Sequence, residues 1–149
     1  MLKVLFATVF CFLLSACSVT PYDELSLDTS TNITSPSPGM AGVYVYQWKT
    51  GPLGAGFDVD FEVKGKKEVS LNTGEYAYFE IEPGDYEYKL QGGLFPTYIP
   101  VTFKAGYNYF FRAVVSMALG HSFLISDQKE IDEAKEKITS GYYELNSVD

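Results

Sequence analysis

The sequence predicts a mainly β protein, an antiparallel β-sandwich with one short C-terminal amphipathic helix, and three observations predict it. From Ala41 onward, apolar and aromatic residues recur at every second position, the spacing of half-buried strands. Turn-forming triplets punctuate those runs at Lys64-Gly65-Lys66, Asn72-Thr73-Gly74 and Pro83-Gly84-Asp85. Beyond Asp127 the spacing becomes helical. With 149 residues, 46% of them hydrophobic, the chain can bury one core of ordinary size.

The chain opens on Met1-Leu2-Lys3, followed by an uncharged apolar run from Val4 to Leu14. A spanning helix needs about 20 apolar residues, so the run reads as a secretory signal rather than a membrane anchor. It ends in Leu14-Ser15-Ala16-Cys17, which resembles the lipobox of bacterial lipoproteins. The resemblance implies that residues 1–16 are removed and that Cys17, diacylated on sulfur, becomes the first residue. The alternative is ordinary cleavage after Ala16 or Cys17, although Leu14 is large for a small-x-small site. Two or three acyl chains, at about 0.8 kcal/mol per buried methylene, would hold the protein to a bilayer without help from the folded part. Ser18, in place of Asp after the Cys, implies sorting to the outer membrane in a Gram-negative host. Cys11 would leave with the signal and Cys17 would be modified, so no disulfide is expected.

Residues 17–40 are expected to be a lipidated N-terminus and tether, because Ser18 to Met40 is dominated by Ser, Thr, Pro and Asp without apolar period. Such a segment spans roughly 25 to 30 Å. Asn32-Ile33-Thr34 matches the glycosylation acceptor pattern by chance in a bacterial protein. Residues 41–145 form the expected domain. Val43 to Trp48, Phe57 to Val63, Val69 to Leu71, Tyr76 to Ile81 and Tyr86 to Leu90 are successive strands rich in β-branched and aromatic residues. In the second, Phe57, Val59, Phe61 and Val63 share a dry face, opposite Asp58, Asp60 and Glu62. The turns between strands imply antiparallel hairpins. Pro100 makes Tyr98 to Phe103 an edge or bulged strand. Tyr107 to Ser116, more continuously apolar, reads as a central strand, and Ser122 to Ile125 adds another.

Asp127 is a good N-cap with Glu130 three places on, and Ile131, Ala134 and Ile138 follow at helical spacing. A helix from about Gln128 to Thr139, stopped by Gly141, results. Its narrow apolar stripe docks on the sheet or on a partner, and the tail from Tyr142 is a last short strand or loose.

The formal charge of −8 excludes nucleic acid as the main partner. Removal of Lys3 leaves 10 basic against 19 acidic residues. His121 is the single histidine, lies between Gly120 and Ser122, and has no Gly-x-Ser-x-Gly elbow to serve. Asp58, Asp60 and Glu62 splay from one strand face, unlike the inturned ligands of a Ca²⁺ loop, and a solvated polar face explains them. Without further His or free Cys no transition-metal site is expected, and no cofactor is expected. Gly51-Pro52-Leu53-Gly54-Ala55-Gly56 lacks the Lys-Ser/Thr of a phosphate loop and leads into a strand. The aromatic content is the one oddity. Tyr44 with Tyr46, Tyr76 with Tyr78 and Tyr86 with Tyr88 alternate on strands, either as an exposed binding stripe or as cross-strand pairs that stabilise the sheet.

Three segments, Val43-Tyr44-Val45-Tyr46, Gly74 through Tyr86 and Ala105 through Arg112, together with the Cys17 motif, resemble a family of small bacterial lipoproteins that share a domain of unknown function. The similarity covers about residues 41–145. Where family members carry a basic residue after the first Tyr-Val-Tyr and after the Pro-Gly turn, this chain has Gln47 and Asp85. The Pro-Gly turn also resembles PEGA-type and transthyretin-like β-sandwich modules of bacterial surfaces, which implies an accessory or binding role. The family implies no catalytic residue. The expectation is a non-enzymatic envelope lipoprotein, anchored through Cys17 at the outer membrane, that binds a protein or glycan through Tyr44, Tyr46, Tyr76, Tyr78, Tyr86 and Tyr88. The alternatives are an envelope hydrolase using a carboxylate pair such as Asp58 and Asp60 or the lone His121, and an interaction surface on the Ile131, Ala134, Ile138 stripe.

Overall fold

The computed structural model describes residues 33–49, 58–92, 94–116 and 120–146. The order is β1 (Ala41–Gln47), β2 (Val59–Val63), β3 (Lys67–Leu71), β4 (Glu75–Ile81), β5 (Gly84–Gln91), β6 (Thr97–Phe103), β7 (Asn108–Ser116), β8 (Gly120–Ile125), α1 (Gln128–Thr139) and β9 (Glu144–Leu145). The protein is mainly β with one short C-terminal helix.

The described strands form one mixed sheet, ordered β3-β2-β5-β8-β7-β1-β4-β9, with β6 added to β5. It curls into a half-barrel, which corrects the antiparallel sandwich. β1 runs antiparallel to β4 but parallel to β7, with Tyr44 opposite Tyr78 on one side and Phe110 on the other. β9 is parallel to β4. Alternation of apolar residues fixes which face of a strand is dry; it carries no information on the partner or its direction. Here the inner face is covered by the curl of the sheet itself and the outer face by a helix, so one sheet does the work expected of two.

The inner core gathers Val43 and Val45 of β1 with Val59, Phe61, Val63, Leu71, Phe79, Tyr88, Phe103, Phe111 and Phe123. Phe61 anchors it, with ring centroids 4.9 Å from Phe111, 5.1 Å from Phe123 and 6.1 Å from Tyr88. The expected dry face of β2 is present at Val59, Phe61 and Val63, all fully buried, while Phe57 lies outside the described residues. All seven residues of β1 are buried. Gly42 is required there, because a Cβ would overlap the Asn108 side chain and crowd the Tyr78 ring.

Only some of the expected hairpins exist. β2 and β3 pair across the Lys64-Gly65-Lys66 turn, with Gly65 at φ 68°. β5 pairs with β6, and β7 with β8. The turns at Asn72 to Gly74 and Pro83 to Asp85 are corners instead, since β3 pairs with β2, while β4 leaves for β1 and β5 for β6. Turn chemistry reverses the chain locally but leaves the next partner open. Pro100 is exposed on β6, which among the described residues pairs only with β5, as an edge strand should. β7 is central, between β8 and β1.

The helix α1 starts as predicted. The Asp127 carboxylate accepts from the Glu130 backbone N–H at 2.9 Å, and Glu130 Oε2 accepts from the Asp127 N–H at 3.2 Å. Ile131 and Ala134 are buried against Tyr44, Tyr46, Phe110 and Tyr143, with Ile138 packed on the same cluster. The stripe is therefore spent within the chain and is not a free interaction surface. The tail is a strand: β9 donates from Glu144 N–H to Gly74 at 3.0 Å and continues with Asn146 N–H to Tyr76 at 2.8 Å.

Candidate functional site

The six tyrosines do not make one exposed surface. Tyr44, Tyr46 and Tyr88 are 1%, 0% and 2% exposed, and Tyr76, Tyr78 and Tyr86 are half-buried. Tyr44 lies between Tyr78 at 4.7 Å and Phe110 at 4.8 Å, a ladder across three neighbouring strands under the helix. Tyr46 shares a hydrogen bond with Ser126 at 2.8 Å, and burial pushes its phenol up to about 12. Tyr88 faces the inner core instead, 4.8 Å from Phe111. Tyr86 packs on Phe103 and donates to the Glu82 carbonyl at 3.0 Å. Alternation keeps each pair on one face, and the fold sets Tyr44, Tyr46, Tyr76 and Tyr78 on the helix side and Tyr86 and Tyr88 on the inner core.

His121 sits at the start of β8, half-buried, with its ring edge-on to Phe123 at 5.8 Å. Its Nε2 is enclosed and has no hydrogen-bond partner among the described residues. A Cβ on Gly92 would collide with that ring. Burial lowers the imidazole pKa, opposed by Asp60 and assisted by Lys89. Asp60 is half-buried and Asp58 exposed. Nearby, Glu62 accepts from the Tyr98 hydroxyl at 2.7 Å and lies 3.2 Å from the Lys89 ammonium. The Tyr98 hydrogen bond lowers the Glu62 pKa, and Lys89 adds to it. These contacts make a polar network around β2, β5 and β6. Among the described residues no group of three or more His, Cys, Asp or Glu is placed to hold a metal. Cys17 and the Gly51 to Gly56 loop lie outside the described residues.

The most distinctive assembly was not singled out from the sequence. At the end of β1, Trp48 is 38% exposed, and its carbonyl accepts from the Thr73 hydroxyl at 3.1 Å. The Arg112 guanidinium lies 4.9 Å and the Lys137 ammonium 4.8 Å from the Trp48 ring centroid. Tyr142, 43% exposed, carries Lys49 at 4.7 Å and Lys137 at 5.8 Å. Glu130 Oε1 pairs with Arg112 at 2.9 Å while its other oxygen serves the helix cap. Glu133 Oε2 is 4.0 Å from Lys137. Arg112 Nε and the Tyr143 hydroxyl are enclosed without hydrogen-bond partners among the described residues. Beside Arg112, across the β7–β8 pair, Leu124 is 40% exposed. Its components are far apart in the sequence; the only local signal was Trp48-Lys49 following a strand.

The Gly-rich stretch after β5 carries a second exposed feature, Leu94 and Phe95, at 94% and 89% exposure. Among the described residues no helix is long and apolar enough to cross a membrane.

Fold and surface thus define a half-barrel β domain whose open features are aromatic and cationic. The chain belongs to a family of proteins of unknown function, DUF2846, whose profile matches residues 37–124. The match covers β1 through most of β8 and stops before α1, so Trp48, Lys49 and Arg112 lie within it and Lys137 and Tyr142 beyond it. No curated protein and no solved structure matches the chain.

Proposed function

We propose that this chain is a bacterial envelope lipoprotein, held through Cys17 at the outer membrane, that acts as a non-enzymatic binding module for a macromolecular partner. The single observation carrying the binding role is the Trp48 surface, where two partly exposed aromatic rings are set among three cations in a chain of net charge −8. Exposed Trp and Tyr with Arg are the side chains that dominate binding energy at protein interfaces. The tyrosines of β1, β4 and β5 support the fold beneath that surface rather than forming it.

The hydrolase reading centres on His121, whose ring is near Asp60. Two features weigh against it. Its Nε2 is enclosed against the Gly92 backbone, and Asp58 and Asp60 share one polar strand face, with Asp58 exposed, instead of converging in a pocket. A base needs an open line to the proton it takes.

A photoactivatable residue at position 48, irradiated in intact cells, tests the binding role. The expected result is one discrete crosslinked partner that is absent when the probe stands at position 66, on the β2–β3 turn at the opposite end of the sheet. Equal, diffuse labelling from both positions would remove the reading.

A further inference from the structure

Resting on the binding role of the Trp48 surface, we propose that its partner is a short acidic polypeptide segment, whose carboxylates are taken by Lys49, Arg112 and Lys137. Charge complementarity is the first argument. Lys49, Arg112 and Lys137 meet around Trp48 and Tyr142, against the two carboxylates of Glu130 and Glu133. A local excess of positive charge in an acidic chain favours an anionic partner at that place.

The rings themselves narrow the class. A sugar stacks on a bare aromatic face, but two cations lie over Trp48, and Lys49 and Lys137 lie over Tyr142. With those faces occupied, the ligand contacts the cations and the ring edges. Leu124 and the exposed part of Trp48 add an apolar floor beside Arg112, which suits a segment mixing carboxylates with aliphatic side chains. The segment must be short. A screening length of about 8 Å at physiological salt lets the local cations act, whereas a long polyanion would meet the acidic remainder of the domain.

Trp48 is the single tryptophan, so its fluorescence reports directly on the surface. Full-length protein in a neutral detergent is titrated with hexaglutamate, hexaglutamine, hexalysine and a short alginate oligomer. The expected result is a saturable change in emission with hexaglutamate alone. It should weaken at least tenfold on raising salt from 50 to 500 mM, as steep screening requires, and at least tenfold in the Lys49→Gln/Lys137→Gln double variant. Far-UV circular dichroism that matches the parent confirms that this variant is folded. An unsaturable response, an equal response in the double variant, or a preference for alginate overturns the proposal.

The chain's own Asp23-Glu24-Leu25-Ser26-Leu27-Asp28 has the same chemistry. If Asp23→Asn/Glu24→Gln/Asp28→Asn alone shifts Trp48 emission, the surface serves that segment and no partner, and the proposal falls. A partner captured from position 48 without any hexaglutamate response would leave the binding role standing and remove only its acidic class.

Discussion

Burial at single residues gives this protein a defined acid response. The enclosed His121 ring has its pKa lowered, so the unfolded chain takes up its proton more readily than the folded one. Its contribution to stability is full above pH 6.5 and is lost as pH falls from 6.5 through the lowered folded value. Burial chiefly sets the depth of that loss, which Asp60 reduces and Lys89 increases. Glu62 and Glu80, both lowered by hydrogen bonds, add a separate loss that begins only near pH 4.5. Urea unfolding at pH 7.5 and 5.5 should show a drop for the parent and a clearly smaller one for His121→Gln, while equal drops would show that other groups carry the effect. None of this could be read from Gly120-His121-Ser122, because the enclosure comes from Gly92, just beyond β5, a neighbour only after folding. The tyrosine pairs were different. Tyr44 and Tyr78 share the alternation of their strands, so pairing was an available reading, and only the helix above decides that the rings are covered.

Elements with local signals were legible, and their partners were not. The helix is the clearest case, because capping box, apolar spacing and the stop at Gly141 all lie within fifteen residues of one another. Asp127→Ala should cost about 1 kcal/mol through loss of the cap, and Ile131→Ala about 2 to 5 kcal/mol, since that side chain is 0% exposed. Denaturant titration followed by circular dichroism measures both, and a loss below about 0.5 kcal/mol for Ile131→Ala would mean that the helix is not docked. Glu130 links the two ends of this argument, as one oxygen closes the cap and the other holds Arg112 of β7. The β3–β4 and β4–β5 turns show the converse. Their Gly residues mark reversals correctly, yet the strands on either side find partners elsewhere, because sheet pairing is settled by burial across the whole sheet.

For the whole molecule, the decisive test is the attachment proposed at Cys17. Cys17→Ser should move the protein from the membrane fraction to the soluble envelope fraction, with loss of the acyl mass from the N-terminal peptide, as followed by fractionation and mass spectrometry. Unchanged sedimentation would require another anchor. The sequence pointed to strand content, the central place of β7 and the edge place of β6 through composition and Pro100. The mixed topology stayed hidden, because a parallel partner more than sixty residues away leaves no trace in local spacing. That same distance has a consequence for synthesis. The strand emerging first, β1, is flanked in the finished sheet by β4 and β7, so its second edge stays unsatisfied until residue 113 has followed. A chain made N-terminus first therefore cannot close both edges of β1 until about three quarters of it is available.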